Sequence, residues 1–248
     1  AYIRHRIGAE HISTWWPRYQ RRALELNSPL LDLGSKFGQA TMNAYVGFVD
    51  LAGFSTRVRG MSPDAIVEYL EPFLSQLVTV LRCYDALIDK TIGDEVMFVI
   101  PDIEEEPGFA TLSVGQLMGA LHDLAFQLTG VYPFRIGLSY GGVRFFCISG
   151  DGYSEWTTVG EPVHVAKRLH ELDEMREPSP VCGAFGLSVS KETSEEVDAI
   201  MRRSLAFLAG VASRFGHRTI EEPVVLKGVG PVKYALLLPR PDRVGEID

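Results

Sequence analysis

Two aspartates at the ends of short apolar segments are the residues best suited to bind a cation. Asp50 closes the mostly apolar run 45–51, and Asp94 follows Gly93 in a turn. A carboxylate flanked by buried residues has to emerge at an edge, since its desolvation would be too costly. Two edges that face each other can hold divalent cations, because Mg²⁺ prefers oxygen ligands and usually takes only one or two carboxylates. Taken alone, either aspartate is more typical of a plain turn.

The residues after Asp50 add a candidate phosphate site. Ala52-Gly53-Phe54-Ser55 leads from the end of a strand toward a helix, and the glycine permits close approach of a ligand to the backbone. Successive N–H groups in such a turn can bind phosphate oxygens. Paired cations beside them would activate an attacking hydroxyl and neutralise a departing pyrophosphate.

Capping and periodicity predict the elements that position these residues. Ser62 as N-cap and Pro63 at the first helical position predict a helix to about Tyr84. Because strands and helices mix without regular alternation, the predicted class is α+β, one sheet with helices packed on it. The other predicted elements are a hairpin of 86–88 and 95–100, helices at 110–129, 162–172 and 194–212, strands at 134–140 and 143–148 around a Gly141-Gly142 turn and before a Gly-rich loop, a strand at 187–189, and a last hairpin of 224–226 and 234–238.

Length and charge limit the classes of protein that fit. With 248 residues and 46% hydrophobic content, the chain fits one large domain, predicted at 44–240 between an extension at 1–43 and a tail at 241–248. A net charge of −8 without a basic run argues against a protein that coats a nucleic-acid duplex. In the extension, Trp15, Trp16 and the basic residues 18–22 predict an amphipathic arm.

Cysteines and apolar runs bear on the compartment. Cys83, Cys147 and Cys182 are odd in number and widely spaced, which predicts neither disulfides nor a zinc site. There is no signal-peptide pattern and no apolar run long enough for a membrane span, so we expect a cytoplasmic protein.

Three segments resemble class III nucleotidyl cyclases, the family of adenylate and guanylate cyclase catalytic domains. Two of them contain the aspartates: residues 48–55, Phe-Val-Asp-Leu-Ala-Gly-Phe-Ser, and residues 90–94, Lys-Thr-Ile-Gly-Asp. The third, residues 155–169, follows the family's pattern Asp-Tyr-Thr-x-x-Gly-x-x-Val-Asn-x-Ala-x-Arg-Leu. Together with weaker matches, the resemblance covers about residues 44–238.

The resemblance implies a role for each matching residue. Two divalent cations, Mg²⁺ or Mn²⁺, would be held by Asp50, Leu51 and Asp94. Arg168 would stabilise the transition state, which suits a guanidinium that spreads its donors over a phosphoryl oxygen gaining charge. The remaining substrate-binding residues would be Phe54, Ser55, Arg135 and Lys227 toward the phosphates, and Lys90 and Glu155 toward the base.

Two positions depart from the family and bear on the substrate. His164 stands where the family has a ribose-orienting asparagine, and Glu155 stands where it has a base-reading aspartate. Lys90 with Glu155 disfavours guanine, and added bulk in the pocket favours a smaller base. The chain is most similar to the bacterial pyrimidine cyclases of phage defence (Pycsar), which implies UTP as substrate, cyclic UMP as second messenger and a separate effector protein.

The resemblance also implies the architecture: a ferredoxin-like βαββαβ sheet that works as a head-to-tail homodimer with active sites at the interface. Asp50, Asp94 and Arg135 would come from one subunit, and Lys90, Glu155, His164, Arg168 and Lys227 from the other. Two alternatives stay open, an adenylate cyclase of the same fold and a degenerate domain that binds nucleotide without turnover. A polymerase palm also uses paired acids, but no basic channel supports it.

Overall fold

A computed structural model describes residues 41–84, 86–102, 108–128, 132–151, 153–176, 179–189, 194–211 and 215–239. The predicted arm with Trp15 and Trp16, and the tail at 241–248, lie outside the described residues. No helix of the described part is long and apolar enough to cross a membrane.

The described elements alternate irregularly between strands and helices, as the sequence predicts. In chain order they are β1 (Thr41–Leu51), α1 (Phe54–Arg57), α2 (Pro63–Cys83), β2 (Leu87–Ile92), β3 (Glu95–Pro101), α3 (Phe109–Gln127), β4 (Phe134–Gly150), β5 (Tyr153–Val159), α4 (Glu161–Leu169), a 3₁₀ turn (Asp173–Arg176), β6 (Val181–Ser188), α5 (Ser194–Val211), β7 (Phe215–Thr219), β8 (Val224–Leu226) and β9 (Gly230–Pro239).

One mixed sheet forms the frame, with the strand order β2-β3-β1-β4-β6-β9-β7. Its first four strands pair antiparallel and, with α2 and α3 as connections, form the βαββαβ core expected from the sequence. Strand β6 extends this core by pairing parallel to β4, and β9 and β7 follow antiparallel. The predicted ferredoxin-like α+β class is therefore confirmed.

The two faces of the sheet are covered by different helices. On β1, Tyr45, Val49 and Leu51 face a core that includes buried residues of α2, α3 and α5. Val46 and Phe48 point to the opposite face, where α4 packs. This alternation follows the period of two along a strand. It places Asp50, two residues after Phe48, on the same face as α4.

Gly137 on β4 lets α4 lie directly against the sheet. A Cβ at this position would stand 2.1 Å from the carbonyl oxygen of Ala166 and 2.9 Å from the backbone nitrogen of His170. No side chain fits in that space, so the glycine sets how closely the helix approaches the strand.

Several predicted elements need correction. The predicted turn at Gly141-Gly142 is wrong, because β4 runs unbroken from Phe134 to Gly150 and both glycines pair with β1. The stretch expected to be a Gly-rich loop between Ile148 and Pro162 also contains an unpredicted strand, β5, which pairs with the far half of β4. Strand β7 has no counterpart among the predictions. The helix start at Ser62 is confirmed, as its Oγ accepts a hydrogen bond of 3.3 Å from the Ala65 backbone.

Candidate active site

Charged side chains form a row across three strands at one end of the sheet. Asp50 on β1 pairs in register with Arg135 on β4, and the pairing of Val49 with Val96 places Glu95 of β3 on the other side of Asp50. All three residues lie on the face covered by α4. Arg135 donates a short hydrogen bond to Asp50. Their side chains are 14%, 18% and 8% exposed for Asp50, Arg135 and Glu95, so the row is largely shielded from water.

Asp94 adds a second carboxylate beside Asp50. It sits at the β2–β3 turn, and its Oδ2 accepts a hydrogen bond of 3.2 Å from the Leu51 backbone. Burial, and next its contact with Asp50 and the charge of Asp50, raise the pKa of Asp94 to about 7. Two carboxylates that meet in a shielded place cannot both ionise easily. The structure thus brings together the two acids that the sequence singles out.

Glu95 and His170 belong to this cluster and were missed by the sequence reasoning. Glu95 accepts a short hydrogen bond from Lys167 of α4. The Nε2 atom of His170, just after α4, lies 3.3 Å from Glu95 and 3.9 Å from Asp50. Burial, followed by the charge of Lys167, lowers the pKa of His170, so its imidazole is neutral near pH 7. Only their positions next to the motifs could have pointed to these two residues. Glu95 directly follows Asp94, and His170 directly follows the Arg-Leu pair.

The donor set at Asp50 and Asp94 fits a divalent cation such as Mg²⁺ or Mn²⁺. Two carboxylates and the main-chain carbonyl of Leu51 are oxygen ligands, and such ions often use few protein ligands beside water and phosphate. Burial and the neighbouring Asp50 raise the pKa of Asp94, so without a bound cation the pair favours one protonated carboxyl. Within the described ranges, no group of three or more His, Cys, Asp or Glu residues could hold a metal ion. Additional ligands, such as phosphate oxygens, would have to complete a cation site here.

Lys90 is held in a second polar cluster, between β2 and β5. Its Nζ donates to the hydroxyl of Thr157 at 2.7 Å and lies 3.2 Å from the carboxylate of Asp89. Asp89 also accepts hydrogen bonds from Thr157 and Thr158, at 3.3 and 2.9 Å. Glu155 lies two residues before Thr157 in β5, but its side chain lies outside the described residues. The sequence reasoning found Lys90 and missed Asp89.

Three further predicted residues lie on exposed surface. His164 and Arg168 are one helical turn apart on α4, which places them on the same side of the helix. His164 is exposed, and Arg168 is 42% exposed and donates to Glu171 at 2.6 Å. Lys227 is exposed in the turn between β8 and β9. These three side chains are available to a ligand or to another surface.

The predicted phosphate-binding turn is a short helix, α1. Gly53 precedes it with φ +74°, a left-handed conformation that favours glycine. Phe54 stacks on Tyr69 at a ring distance of 6.4 Å, and Ser55 is exposed. Phe54 therefore anchors the turn to α2, while the exposed side of the turn stays open.

The chain resembles solved cyclase domains in fold. It aligns with the adenylyl cyclase CyaB of P. aeruginosa over 83% of its length and 98% of that chain, with a TM-score of 0.60 and 17% identity. It aligns with the guanylate cyclase domain of RhGC from Catenaria anguillulae, solved with GTP, over 81% and 99%, with a TM-score of 0.61 and 16% identity. The fold is therefore that of class III cyclase catalytic domains.

Sequence relatives match only part of the chain. No protein-family profile matches the chain. An uncharacterized protein of Mycobacterium tuberculosis is 25% identical over 161 residues, which is 64% of this chain and 29% of that protein. An adenylate cyclase of Streptomyces coelicolor is 28% identical over 127 residues, 51% of this chain and 29% of the cyclase. The chain thus spans under a third of the length of these relatives.

Proposed function

We propose that this chain is a nucleotidyl cyclase that converts a nucleoside triphosphate to a 3′,5′-cyclic monophosphate and pyrophosphate. The observation that carries the proposal is the meeting of Asp50 and Asp94 at the sheet end of a cyclase fold. In this reaction the ribose 3′-oxygen forms a bond to the α-phosphorus, the bond from that phosphorus to the β-phosphate oxygen breaks, and the hydroxyl proton is lost.

The residues of the chain divide the work of that reaction. Asp50, Asp94 and the Leu51 carbonyl would hold the divalent cations, which supply activation of the hydroxyl and charge neutralisation at the leaving group. Arg168 donates to the α-phosphoryl oxygens as charge develops there. Lys227 and Arg135 bind the terminal phosphates, and Arg135 leaves Asp50 when it does so. His164 donates one hydrogen bond toward the ribose.

A second copy of the chain completes the site in a head-to-tail homodimer. In the described residues, Asp50, Asp94 and Arg135 gather at the sheet end, whereas His164, Arg168 and Lys227 lie exposed elsewhere on α4 and the β8–β9 turn. An exposed cation contributes little to stability where it stands, because water screens its ion pairs. Exposure of three such residues supports a role toward a ligand held by another subunit.

UTP is the substrate that we propose, with cyclic UMP acting as a messenger in phage defence and read by a separate effector protein. The support is Glu155 and His164, which replace shorter family residues and would narrow the nucleoside pocket. ATP is the second candidate, favoured by the match to an adenylate cyclase of Streptomyces coelicolor and by Lys90, whose ammonium can donate to a ring nitrogen of adenine.

Incubation of the purified chain with ATP, GTP, CTP or UTP in Mn²⁺ tests these proposals, with cyclic products separated by chromatography and identified by mass. We expect cyclic UMP and pyrophosphate in equal amounts. A larger product yield from ATP than from UTP would replace the uridylate assignment by the adenylate one. Nucleotide binding without any cyclic product would instead indicate a degenerate domain and reject the cyclase proposal.

A further inference from the structure

The buried carboxylate of Asp89 is not used by the reaction outlined above. It is only 7% exposed, yet it is surrounded by groups that fix it: the hydroxyls of Thr157 and Thr158 and the ammonium of Lys90. A buried carboxylate is costly unless it is paired and hydrogen-bonded, and here both conditions are met. Its partners all lie at the junction of β2 and β5.

The backbone at Asp89 explains why two adjacent residues contact the same strand. Neighbouring side chains of a regular strand point to opposite faces of the sheet. The β2–β3 register shifts between Ile88 and Lys90, so that Asp89 is the extra, unpaired residue of a bulge. A bulge re-aims side chains and is common next to active sites. It allows Asp89 and Lys90 to reach Thr157 together.

We propose that Asp89 is a positioning residue that fixes the direction of the Lys90 ammonium and thereby sets which base the enzyme selects. This role rests on the proposed function, in which Lys90 faces the base. An ammonium has three donors and no acceptor. With Thr157 at 2.7 Å and Asp89 at 3.2 Å, two of its donors have acceptors within the protein.

Counting the contacts of the described residues, one N–H of Lys90 remains for the ligand, and the other two contacts set its direction. A base that presents an acceptor at that point gains a charge-assisted hydrogen bond, and a base that presents a donor leaves this N–H without an acceptor. A freely rotating lysine would instead adapt to several bases. The Lys90 side chain is 33% exposed, so it is not sealed off from a ligand.

A double-mutant cycle on base selection tests this inference. The measured quantity is the ratio of kcat/KM for the best of the four nucleoside triphosphates to that for the second best, in Mn²⁺. Lys90→Met and Asp89→Asn are each expected to lower this ratio about tenfold or more, as a hydrogen bond to a charged group is worth that much. In the double variant the ratio should fall no further than in Lys90→Met alone.

Thr111→Val is the matched control, because it removes a buried hydroxyl that bonds Tyr45 at 3.1 Å on the other face of the sheet. It should lower the melting temperature and leave the ratio within about twofold, since a stability loss affects all substrates equally. If Asp89→Asn does not fold, Thr157→Val removes the other acceptor of Lys90 and should lower the ratio by a similar factor.

The outcomes separate this inference from the proposed function. If the wild type makes cyclic product, additive losses in the double-mutant cycle would overturn the role of Asp89 and leave the proposed function standing. An unchanged ratio of kcat/KM in both Asp89→Asn and Thr157→Val would do the same. Absence of any cyclic product from the wild type would overturn the proposed function and base selection with it. Non-additive losses in an active enzyme would support both.

Discussion

The acidic end of the sheet and the exposed face of α4 differ in how deeply their charged side chains are buried. At the sheet end, Asp50, Glu95 and His170 have side chains between 3% and 14% exposed, and partners within the same chain neutralise most of the charge. On α4, Arg168 is 42% exposed, and among the described residues its ion pair is with Glu171, three residues away. The side chains of the first region are held by contacts within the chain, whereas the second region presents its charge outward.

The two regions therefore differ in how firmly their charged side chains are held in position. Buried charges are held by several partners at once, because an unpaired one would be costly. Exposed ion pairs contribute little and leave the side chain free to move. Lys167 and Arg168 are adjacent in sequence, yet one reaches inward to Glu95 and the other faces outward. α4 therefore carries one basic side chain that is held at the acidic sheet end and one that points away from it.

Asp50→Asn should have the largest effect, because it removes a cation ligand from the buried region. We expect cyclic product formation to fall at least about a thousandfold, since metal ligands act on the reacting groups themselves. Asp64→Asn, at an exposed position in the first turn of α2, is the control and should stay within about twofold of the wild type. Product formation by Asp50→Asn at the wild-type rate would reject the site.

Coexpression of Asp50→Asn with Arg168→Ala tests whether the two regions serve one site across two subunits. Each variant alone should be inactive, or at least about a hundredfold weaker. Random pairing makes about half of the dimers mixed, each with one intact site, so about a quarter of the wild-type activity should return. Asp50→Asn with Asp94→Asn alters the same half-site twice and should restore nothing. Equal recovery in both pairs would contradict the comparison.

Gly137→Ala should push α4 away from β4. The new Cβ would stand 2.1 Å from the Ala166 carbonyl, so α4 has to move off the sheet. We expect a loss of about 2–3 kcal/mol in the free energy of unfolding, measured with urea, from this overpacking. Gly142→Ala on the same strand meets only Thr41 at 3.6 Å and Asn43 at 4.0 Å and should cost less than about 1 kcal/mol. Equal losses would show that the close approach of α4 is unimportant.

The smallest expected effect concerns stability and not activity: without divalent cations, Asp94→Asn should change how the free energy of unfolding depends on pH. The pKa of Asp94 rises from an ordinary 3.8 to about 7 on folding, so the folded protein prefers the protonated acid. The stability that this preference contributes is fully present below pH 3.8 and is lost as the pH rises to about 7.

The amide imitates the protonated acid, so in chelator at pH 8 the variant should be about 1–2 kcal/mol more stable than the wild type, after discounting for solvent screening. Near pH 3 the two proteins should be equally stable in thermal or urea unfolding. A variant that is less stable than the wild type at pH 8 would show that the acid pair is not strained.

Local signals were enough for much of the fold. The cap at Ser62, the apolar run before Asp50 and the turn at Gly93 each act within a few residues, and each feature lies where predicted. The Gly141-Gly142 pair misled because glycines also occur inside strands where another backbone or side chain approaches. Here Pro162 of α4 lies 3.1 Å from a Cβ built at Gly141.

The site was only partly predictable, because sequence patterns report on residues that are close in the chain and not on contacts between distant ones. Asp50 and Asp94 stood out because acids interrupt apolar runs, a property of sequence alone. The contacts of Asp50 with Arg135 and His170 depend on strand register and on how α4 crosses the sheet, which no local pattern encodes. The contact of His170 with Glu95 depends on the same two features. Likewise, Asp89 becomes recognisable only once the bulge in β2 is known.

The unbroken strand β4 has one further consequence. Its first half pairs with β1 and β6, whereas residues 145–150 pair only with β5, as a two-stranded ribbon beyond the main sheet. Such ribbons are marginally stable by themselves, and their tips tolerate added sequence. Asp151, with φ +45° at the tip, is therefore the natural place to insert a fluorescent tag that reports on assembly without entering the hydrophobic interior.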